Sequence, residues 1–183
     1  MNVRAWIWRA GLCGALVCTL PAYAADIDLP STARAEVAFS PDGQALDSVL
    51  KEIGAAQRSI RVAAYLFTSK PVATALTHAA ARGVDVRVVA DAQEGRKRFT
   101  AVNYLANAGV PVRLNGRYGV HHHKFMVIDG RDVQTGSFNY TAAAATRNAE
   151  NILIVRGAPA LAKAYSEEWQ RLWDEATPLA PAY

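Results

Sequence analysis

Short strand-like runs alternate with alanine-rich helical stretches through the first half of the chain, and this alternation limits the possible folds more than any other feature. Residues 59–67 (SIRVAAYLF) and 84–90 (VDVRVVA) are apolar runs typical of buried strands. Between them, residues 71–82 have helical composition and end at Gly83. The same patterns predict a strand at 36–40, helices at 45–56 and 97–108, and a strand at 110–114. This order favours an α/β fold, with a β-sheet covered by helices.

The second half replaces the alternation by a predicted β-hairpin. Two strand-like runs, at 120–128 and 133–138, flank Asp129-Gly130, a residue pair that favours a tight turn. Beyond it we expect a short helix at 141–146, a strand at 151–155 and a helix at 159–175. The last helix carries a row of large apolar side chains at helical spacing, which indicates a face packed against the core rather than a ligand site. These are Leu161, Tyr165, Trp169, Leu172 and Trp173.

The first 24 residues have the features of a secretory signal peptide. Arg4 and Arg9 begin the segment, residues 10–20 are apolar but too short to span a bilayer, and Ala22-Tyr23-Ala24 offers small residues for cleavage. Cleavage would leave 159 of the 183 residues, with neither cysteine and with a formal charge of +2 instead of +4. We therefore expect a periplasmic or secreted protein without stable membrane insertion; a retained membrane anchor is the alternative. The predicted division is a signal at 1–24, a lead-in at 25–35, a single domain at 36–177 and a tail at 178–183.

Composition excludes several classes of protein. With 51% hydrophobic and 20% charged residues the chain is neither disordered nor collagen-like, and two cysteines cannot form a disulfide-dense scaffold. The weak net charge gives little overall attraction to a polyanion, so any such attraction must come from local patches. The basic run at 96–98 is one candidate, although such a run is more often a solvated surface. Arg117 and Arg147 are better placed to bind a substrate, because they flank the hairpin and its three consecutive histidines at 121–123.

Four polar side chains are expected to share one face of the hairpin. His122 and Lys124 have the same parity along the first strand, and Ser137 and Asn139 have the same parity along the second. The hairpin would bring an imidazole, an ammonium, a hydroxyl and an amide together. The last three supply the donors that a cluster of anionic oxygens needs, and histidine can attack or transfer a proton near neutral pH. This set favours phosphoryl transfer through a covalent phosphohistidine.

The neighbouring residues are expected to support this set rather than belong to it. Asp129 has the opposite parity and lies near the turn, which predicts a supporting role. His121 and His123 lie on the face opposite His122 and are expected to pack beneath the site; a metal-binding tract is the less favoured reading. Phe138 should point into the core. Tyr65 could belong to the core or to a pocket floor, and we favour the core.

The motif His122-x-Lys124-x4-Asp129-x6-Gly136-Ser137-x-Asn139 resembles the HKD signature of the phospholipase D superfamily. The segments SIRVAAYLFTS and RGVDVRVVAD resemble the first half of that domain. The segment NYTAAAATRNAEN resembles the small bacterial endonucleases of the superfamily, with Glu150 in the place of their acidic residue. The resemblance covers nearly all of the chain beyond residue 24. It implies a mixed β-sheet flanked by helices on both faces, the α/β/α sandwich of the superfamily.

The resemblance also implies roles for the motif residues. His122 would attack the phosphorus of a phosphodiester, and Glu150 would orient a histidine while Asp129 braces the hairpin. The non-bridging oxygens would be held by Lys124, Ser137 and Asn139. We also assign substrate binding to Gly136, Arg117 and Arg147. No metal or other cofactor is implied, because the positive groups come from the protein.

The chain has one HKD motif, whereas the two-motif phospholipases have a second one. His78 is followed by Ala79-Ala80 and not by x-Lys, so it does not supply that second motif. The resemblance implies that two motif histidines are needed. We therefore expect a symmetric homodimer in which the two His122 residues meet across the two-fold axis.

Three function classes remain open on sequence grounds. The favoured one is a non-specific endonuclease that cuts DNA, and RNA as a further candidate, with nucleic acid as the partner. The second is a lipid phosphodiesterase of the phospholipase D type, for which the chain offers no obvious apolar lid or membrane helix. The third is a non-catalytic nucleic-acid-binding protein, against which the full set of polar motif residues argues.

Overall fold

One eight-stranded β-sheet with helices on both faces forms the framework of the protein. The computed structural model describes residues 24, 26–41, 44–97 and 100–181. The predicted signal peptide therefore lies outside the described residues, apart from Ala24. The strands are β1 (Arg34–Ser40), β2 (Ser59–Ala64), β3 (Asp85–Asp91), β4 (Val112–Asn115), β5 (Lys124–Ile128), β6 (Asp132–Gly136), β7 (Glu150–Arg156) and β8 (Thr177–Pro178). The helices are α1 (Gln44–Ala55), α2 (Lys70–Ala81), α3 (Ala92–Gly95), α4 (Ala101–Asn107), α5 (Ala142–Thr146) and α6 (Pro159–Glu175).

The strand order across the sheet is β1-β7-β6-β5-β2-β3-β4-β8. The two neighbouring pairs β2–β3 and β3–β4 are parallel, as expected for strands joined by helices. The other pairs, which include the β5–β6 hairpin and the edge pairs β1–β7 and β4–β8, are antiparallel. The sheet is therefore mixed, and the predicted α/β class is confirmed.

The two faces of the sheet bury different side chains. Residues of alternate parity on the central strands, such as Val62 and Val88, pack beneath α1, α2 and α4 in the larger core cluster. Residues of the opposite parity, which include Phe125, pack against α6. Trp169 of α6 is 2% exposed, and its Nε1–H donates to the carbonyl oxygen of Val62 over 2.9 Å. The predicted apolar face of α6 is thus a core face.

None of the helices in the described ranges is long and apolar enough to cross a membrane.

Several predicted boundaries are wrong. The strand expected at 120–128 begins only at Lys124, and the strand expected at 133–138 ends at Gly136. The strand expected at 59–67 ends at Ala64. The helix expected at 97–108 begins at Ala101, where Thr100 caps it, and the short helix α3 before it was not predicted. At two of these boundaries a hydrogen bond overrides the local pattern. The Asp91 side chain of β3, rather than a neighbouring strand, binds the backbone of His121, and the Thr100 side chain caps α4.

Candidate active site

The hairpin register aligns the two halves of the motif. Phe125 pairs with Thr135, so Lys124 lies beside Gly136 at the open end of the hairpin. Gly136 has a φ of +150°, and a Cβ there would lie 2.2 Å from the carbonyl oxygen of Asn151. Only glycine lets β6 approach β7 this closely, which accounts for the motif glycine without a substrate contact.

His122 and Lys124 form the centre of the site. Lys124 Nζ lies 3.1 Å from Nδ1 of His122 and donates to the His122 carbonyl oxygen over 2.7 Å. The lysine is 8% exposed, whereas His122 is exposed. Burial lowers the pKa of Lys124, and the nearby charge of Glu150 opposes that shift. The pair therefore presents a reachable imidazole backed by an ammonium that is largely withdrawn from water.

Ser137 directly follows β6, Glu150 begins β7, and the two side chains bind each other. Ser137 Oγ donates to Glu150 Oε2 over 2.6 Å and accepts the backbone N–H of Asn151 over 3.1 Å. The other oxygen of Glu150 accepts from Nδ2 of Asn148 over 3.0 Å. Both carboxylate oxygens are thus engaged by neutral donors of the same chain, which leaves the charge of Glu150 uncompensated by a direct ion pair among the described residues.

Asn139 connects the motif to the end of β2. Its Oδ1 accepts the backbone N–H of Leu66 over 3.4 Å, and the next carbonyl, of Tyr140, accepts the backbone N–H groups of Thr68 and Ser69. Phe138, between the two polar motif residues, is fully buried as expected. The loop that follows β2 is therefore attached to the returning half of the motif.

Asp129 lies at the closed end of the hairpin. Its φ is +55°, and its carboxylate accepts the backbone N–H groups of Gln57, Arg58 and Ser59 over 2.7–3.2 Å. Burial acts to raise the pKa of Asp129, but these hydrogen bonds outweigh it and hold the pKa below its usual value. Through these hydrogen bonds Asp129 links the turn of the hairpin to the start of β2.

His121 and His123 make contacts different from those of His122. The backbone N–H of His121 donates to Oδ2 of Asp91 over 2.8 Å, and its ring is 2% exposed with no hydrogen-bond partner among the described residues. Burial, with a smaller contribution from His123, lowers the pKa of His121 to about 4, so that ring is neutral at pH 7. His123 Nε2 lies 3.4 Å from Glu168 Oε1 of α6. Within the described ranges no group of three or more histidine, cysteine or acidic side chains is arranged to hold a metal ion.

The two predicted substrate-binding arginines are not drawn into this cluster. Arg117 is 66% exposed and its Nε lies 3.7 Å from a carboxylate oxygen of Glu175. Arg147 is exposed at the C-terminal end of α5. A role for either in binding substrate stays a prediction.

Tyr65 was expected in the core, and the structure places it at the site instead. Its half-buried ring lies against His122, with 4.5 Å between the ring centroids, and Lys124 Nζ lies 5.2 Å from the Tyr65 centroid. Sequence reasoning missed this because Tyr65 lies inside an apolar run, residues 59–67; its place just beyond β2, the strand paired with β5, was the available signal. Beside this cluster, a cavity of about 690 Å³ is lined by residues that include His122, Lys124 and, from α6, Tyr165.

Comparison with known proteins places this geometry in a family. The family model described as "Cardiolipin synthase, PLD-like domain" matches residues 49–173. The crystal structure of a phospholipase D family member, Nuc from Salmonella typhimurium, superposes with a TM-score of 0.79 at 39% identity and covers 81% of this chain and 99% of that one. A phospholipase D of Rickettsia conorii is 35% identical over 139 residues, which are 76% of this chain and 69% of that protein. A mitochondrial cardiolipin hydrolase of Xenopus laevis is 40% identical over 134 residues, 73% of this chain and 63% of that protein. The chain belongs to the phospholipase D superfamily, and it is a phosphodiester hydrolase of that superfamily.

Proposed function

We propose that this protein is a metal-independent endonuclease that cleaves DNA without sequence specificity through a covalent phosphohistidine on His122. The observation that carries the proposal is the exposed imidazole of His122 with the ammonium of Lys124 3.1 Å from its Nδ1. An exposed imidazole can reach a phosphorus atom, and an ammonium beside it can neutralise the phosphate oxygens. RNA is a further candidate substrate, because the reaction acts on the phosphodiester that DNA and RNA share.

The proposed reaction has two steps. A nitrogen of His122 attacks phosphorus, and a P–N bond forms while the bond to the leaving oxygen breaks. Lys124, Ser137 and Asn139 hold the non-bridging oxygens, and a second, protonated histidine gives its proton to the leaving oxygen. That histidine then takes a proton from water, whose oxygen attacks phosphorus and breaks the P–N bond. Both histidines return to their initial protonation states.

The second histidine is proposed to be His122 of a second copy, so that the active unit is a homodimer. One surface of the chain supports this arrangement. Val37 and Phe39 of the edge strand β1 are 56% and 62% exposed, and Leu153 pairs with Val37 in register. We call these three residues the apolar edge face. They lie on the sheet face that α6 covers only over the more central strands.

The apolar edge face adjoins the site. Phe39 pairs with Asn151, whose backbone N–H donates to Ser137 Oγ. A partner seated beside the site would cover these side chains and remove their apolar area from water. We therefore expect Phe39→Asp to dissociate the dimer and to lower activity at least about 100-fold at protein concentrations where the wild type is dimeric. Sedimentation velocity with a parallel cleavage assay measures both effects, and a wild-type monomer with full activity would reject the homodimer.

Plasmid digestion with and without EDTA tests the nuclease proposal. The wild type is expected to nick and linearise plasmid equally well in both, and His122→Ala is expected to lose activity by at least about 10⁴-fold. His78→Ala is the matched control, because His78 is exposed on α2 and belongs to no part of the site. Activity that EDTA abolishes, or that survives His122→Ala, contradicts the mechanism.

A lipid phosphodiesterase is the second candidate, and the relatives named phospholipase D and mitochondrial cardiolipin hydrolase favour it. The same histidine chemistry would act on a phospholipid headgroup. Vesicles of cardiolipin and of phosphatidylcholine, incubated in parallel with plasmid, separate the two candidates. Release of phosphatidic acid without DNA cleavage would assign the lipid activity and reject the nuclease.

We also propose that the chain is exported to the periplasm or secreted, on the strength of the sequence pattern in residues 1–24. Mass spectrometry of the protein recovered from a host that secretes it tests this. Cleavage after Ala24 is expected, and an intact N-terminus would contradict it.

A further inference from the structure

Tyr65 packs against both groups that carry the proposed chemistry. Its ring is tilted by 42° to the imidazole of His122, at 4.5 Å between centroids, and the ammonium of Lys124 lies 5.2 Å from the same ring. Tyr65 directly follows β2, and the next backbone N–H, of Leu66, donates to Asn139. Tyr65 is therefore anchored beside both halves of the motif and lies against the nucleophile.

The polar contact on His122 cannot hold the ring through a whole reaction. An ammonium has donors only, so Nδ1 of His122 accepts from Lys124, and a neutral imidazole in this contact carries its proton on Nε2. Because Lys124 lies against Nδ1, Nε2 is the ring nitrogen left for the attack. Attack by Nε2 needs the tautomer with the proton on Nδ1, and phosphate oxygens compete for the same ammonium. Lys124 must therefore release Nδ1 when substrate binds, and the imidazole then needs another contact to keep its orientation.

We propose that Tyr65 supplies this contact and is a positioning residue for His122. The inference rests on the proposed function, because it concerns His122 as the nucleophile. An aromatic face packs against an imidazole in either tautomer and in either charge state, so the contact persists when Lys124 turns to the phosphate. The ring carries this role, and the hydroxyl is dispensable.

Substitutions at Tyr65 separate the ring from the hydroxyl. Tyr65→Phe keeps the ring and is expected to retain kcat within about 2-fold of the wild type. Tyr65→Leu removes the aromatic face and is expected to lower kcat at least about 10-fold while KM changes less than about 2-fold, because misorientation of a nucleophile acts on the chemical step. Tyr104→Leu is the matched control, since Tyr104 is 51% exposed on α4 and away from the motif. Steady-state cleavage of a short fluorescent oligonucleotide provides kcat and KM.

Single-turnover experiments with an alkaline quench measure the same effect on the phosphohistidine directly. Tyr65→Leu is expected to form it more slowly, while Tyr65→Phe forms it at the wild-type rate. If Tyr65→Leu melts at a lower temperature, the assays are run well below that temperature, and Tyr65→Met provides the same comparison with an unbranched side chain. Wild-type kcat in Tyr65→Leu, or an equal loss in Tyr65→Phe, overturns the role of the ring. Loss of activity in His122→Ala alongside wild-type kcat in Tyr65→Leu rejects only this inference, whereas activity in His122→Ala rejects the proposed function itself.

Discussion

The two ends of the β5–β6 hairpin are built in opposite ways. At the closed end, the carboxylate of Asp129 accepts hydrogen bonds from three backbone N–H groups, those of residues 57–59, at and just before the start of β2. At the open end, His122, Lys124 and Ser137 contact one another or Glu150, and each has hydrogen-bonding capacity that a phosphate could take over. The Asp129 carboxylate at the closed end has its hydrogen-bond donors within the protein. The polar groups at the open end could instead give up a present hydrogen-bond partner for a phosphate oxygen. In the proposed mechanism, the closed end of the hairpin contributes to stability and the open end to catalysis.

After the loss expected in His122→Ala, the largest effect on activity is expected from removal of the ammonium at the open end. Lys124→Met should lower kcat at least about 10³-fold, because a preorganised donor to the phosphate oxygens is lost. The same substitution should leave the free energy of unfolding unchanged or raise it, since burial disfavours the charged form of Lys124 in the folded protein. Cleavage kinetics and urea denaturation measure the two quantities. A large loss of stability in Lys124→Met would show that the open end also holds the fold together.

At the closed end, we expect a substitution to lower stability and to leave activity nearly unchanged. Asp129→Asn removes the charge but suits the φ of +55°, which asparagine tolerates, so the substitution tests the carboxylate rather than the turn. We expect the free energy of unfolding at pH 7 to fall by about 2–3 kcal/mol, because hydrogen bonds to a charged group are lost. The activity of the folded variant should stay within about 3-fold of the wild type. Urea denaturation with parallel cleavage assays checks both expectations.

The pH dependence of the difference in unfolding free energy between the wild type and Asp129→Asn provides an independent check. The folded-state pKa of Asp129 is lowered, so its stabilising contribution is present above the unfolded pKa of about 4 and is lost as pH falls through the folded value. Wild type and Asp129→Asn should therefore converge in stability as the pH falls below about 4. Asp174→Asn, on the exposed side of α6, is the control. A difference that grows in acid would contradict the assigned role of the carboxylate.

The smallest effect is expected outside the hairpin, at the two arginines. Arg117→Ala and Arg147→Ala should raise KM for DNA by about 2- to 5-fold at low salt and leave kcat unchanged, because exposed cations attract phosphates weakly and are screened. Repeating the assay at 0.3 M salt should remove most of the difference. A loss in kcat that persists at high salt would place an arginine in the chemistry and extend the open end beyond the hairpin.

Local pattern predicted the parts of the site that depend on strand periodicity. Because side chains alternate along a strand, different contacts for His122 and for its two neighbouring histidines could be predicted, although the strand itself begins at Lys124. The partner of His121 could not be predicted, since its backbone N–H binds Asp91 at the end of β3, which is 30 residues away along the chain. The contact of Tyr65 with His122 was missed for the same reason.

The amino-acid sequence by itself determined the α/β class, the hairpin, the family and the identities of the motif residues, because these follow from periodicity, turn chemistry and a spaced motif. The tertiary structure decided what each residue faces. It paired β5 with β2 so that Tyr65 meets His122, and it covered one sheet face with α6 while leaving Val37 and Phe39 exposed. These outcomes depend on contacts between segments that are distant in the sequence. The free energy that selects them comes from the packing of the whole domain and not from any single short segment.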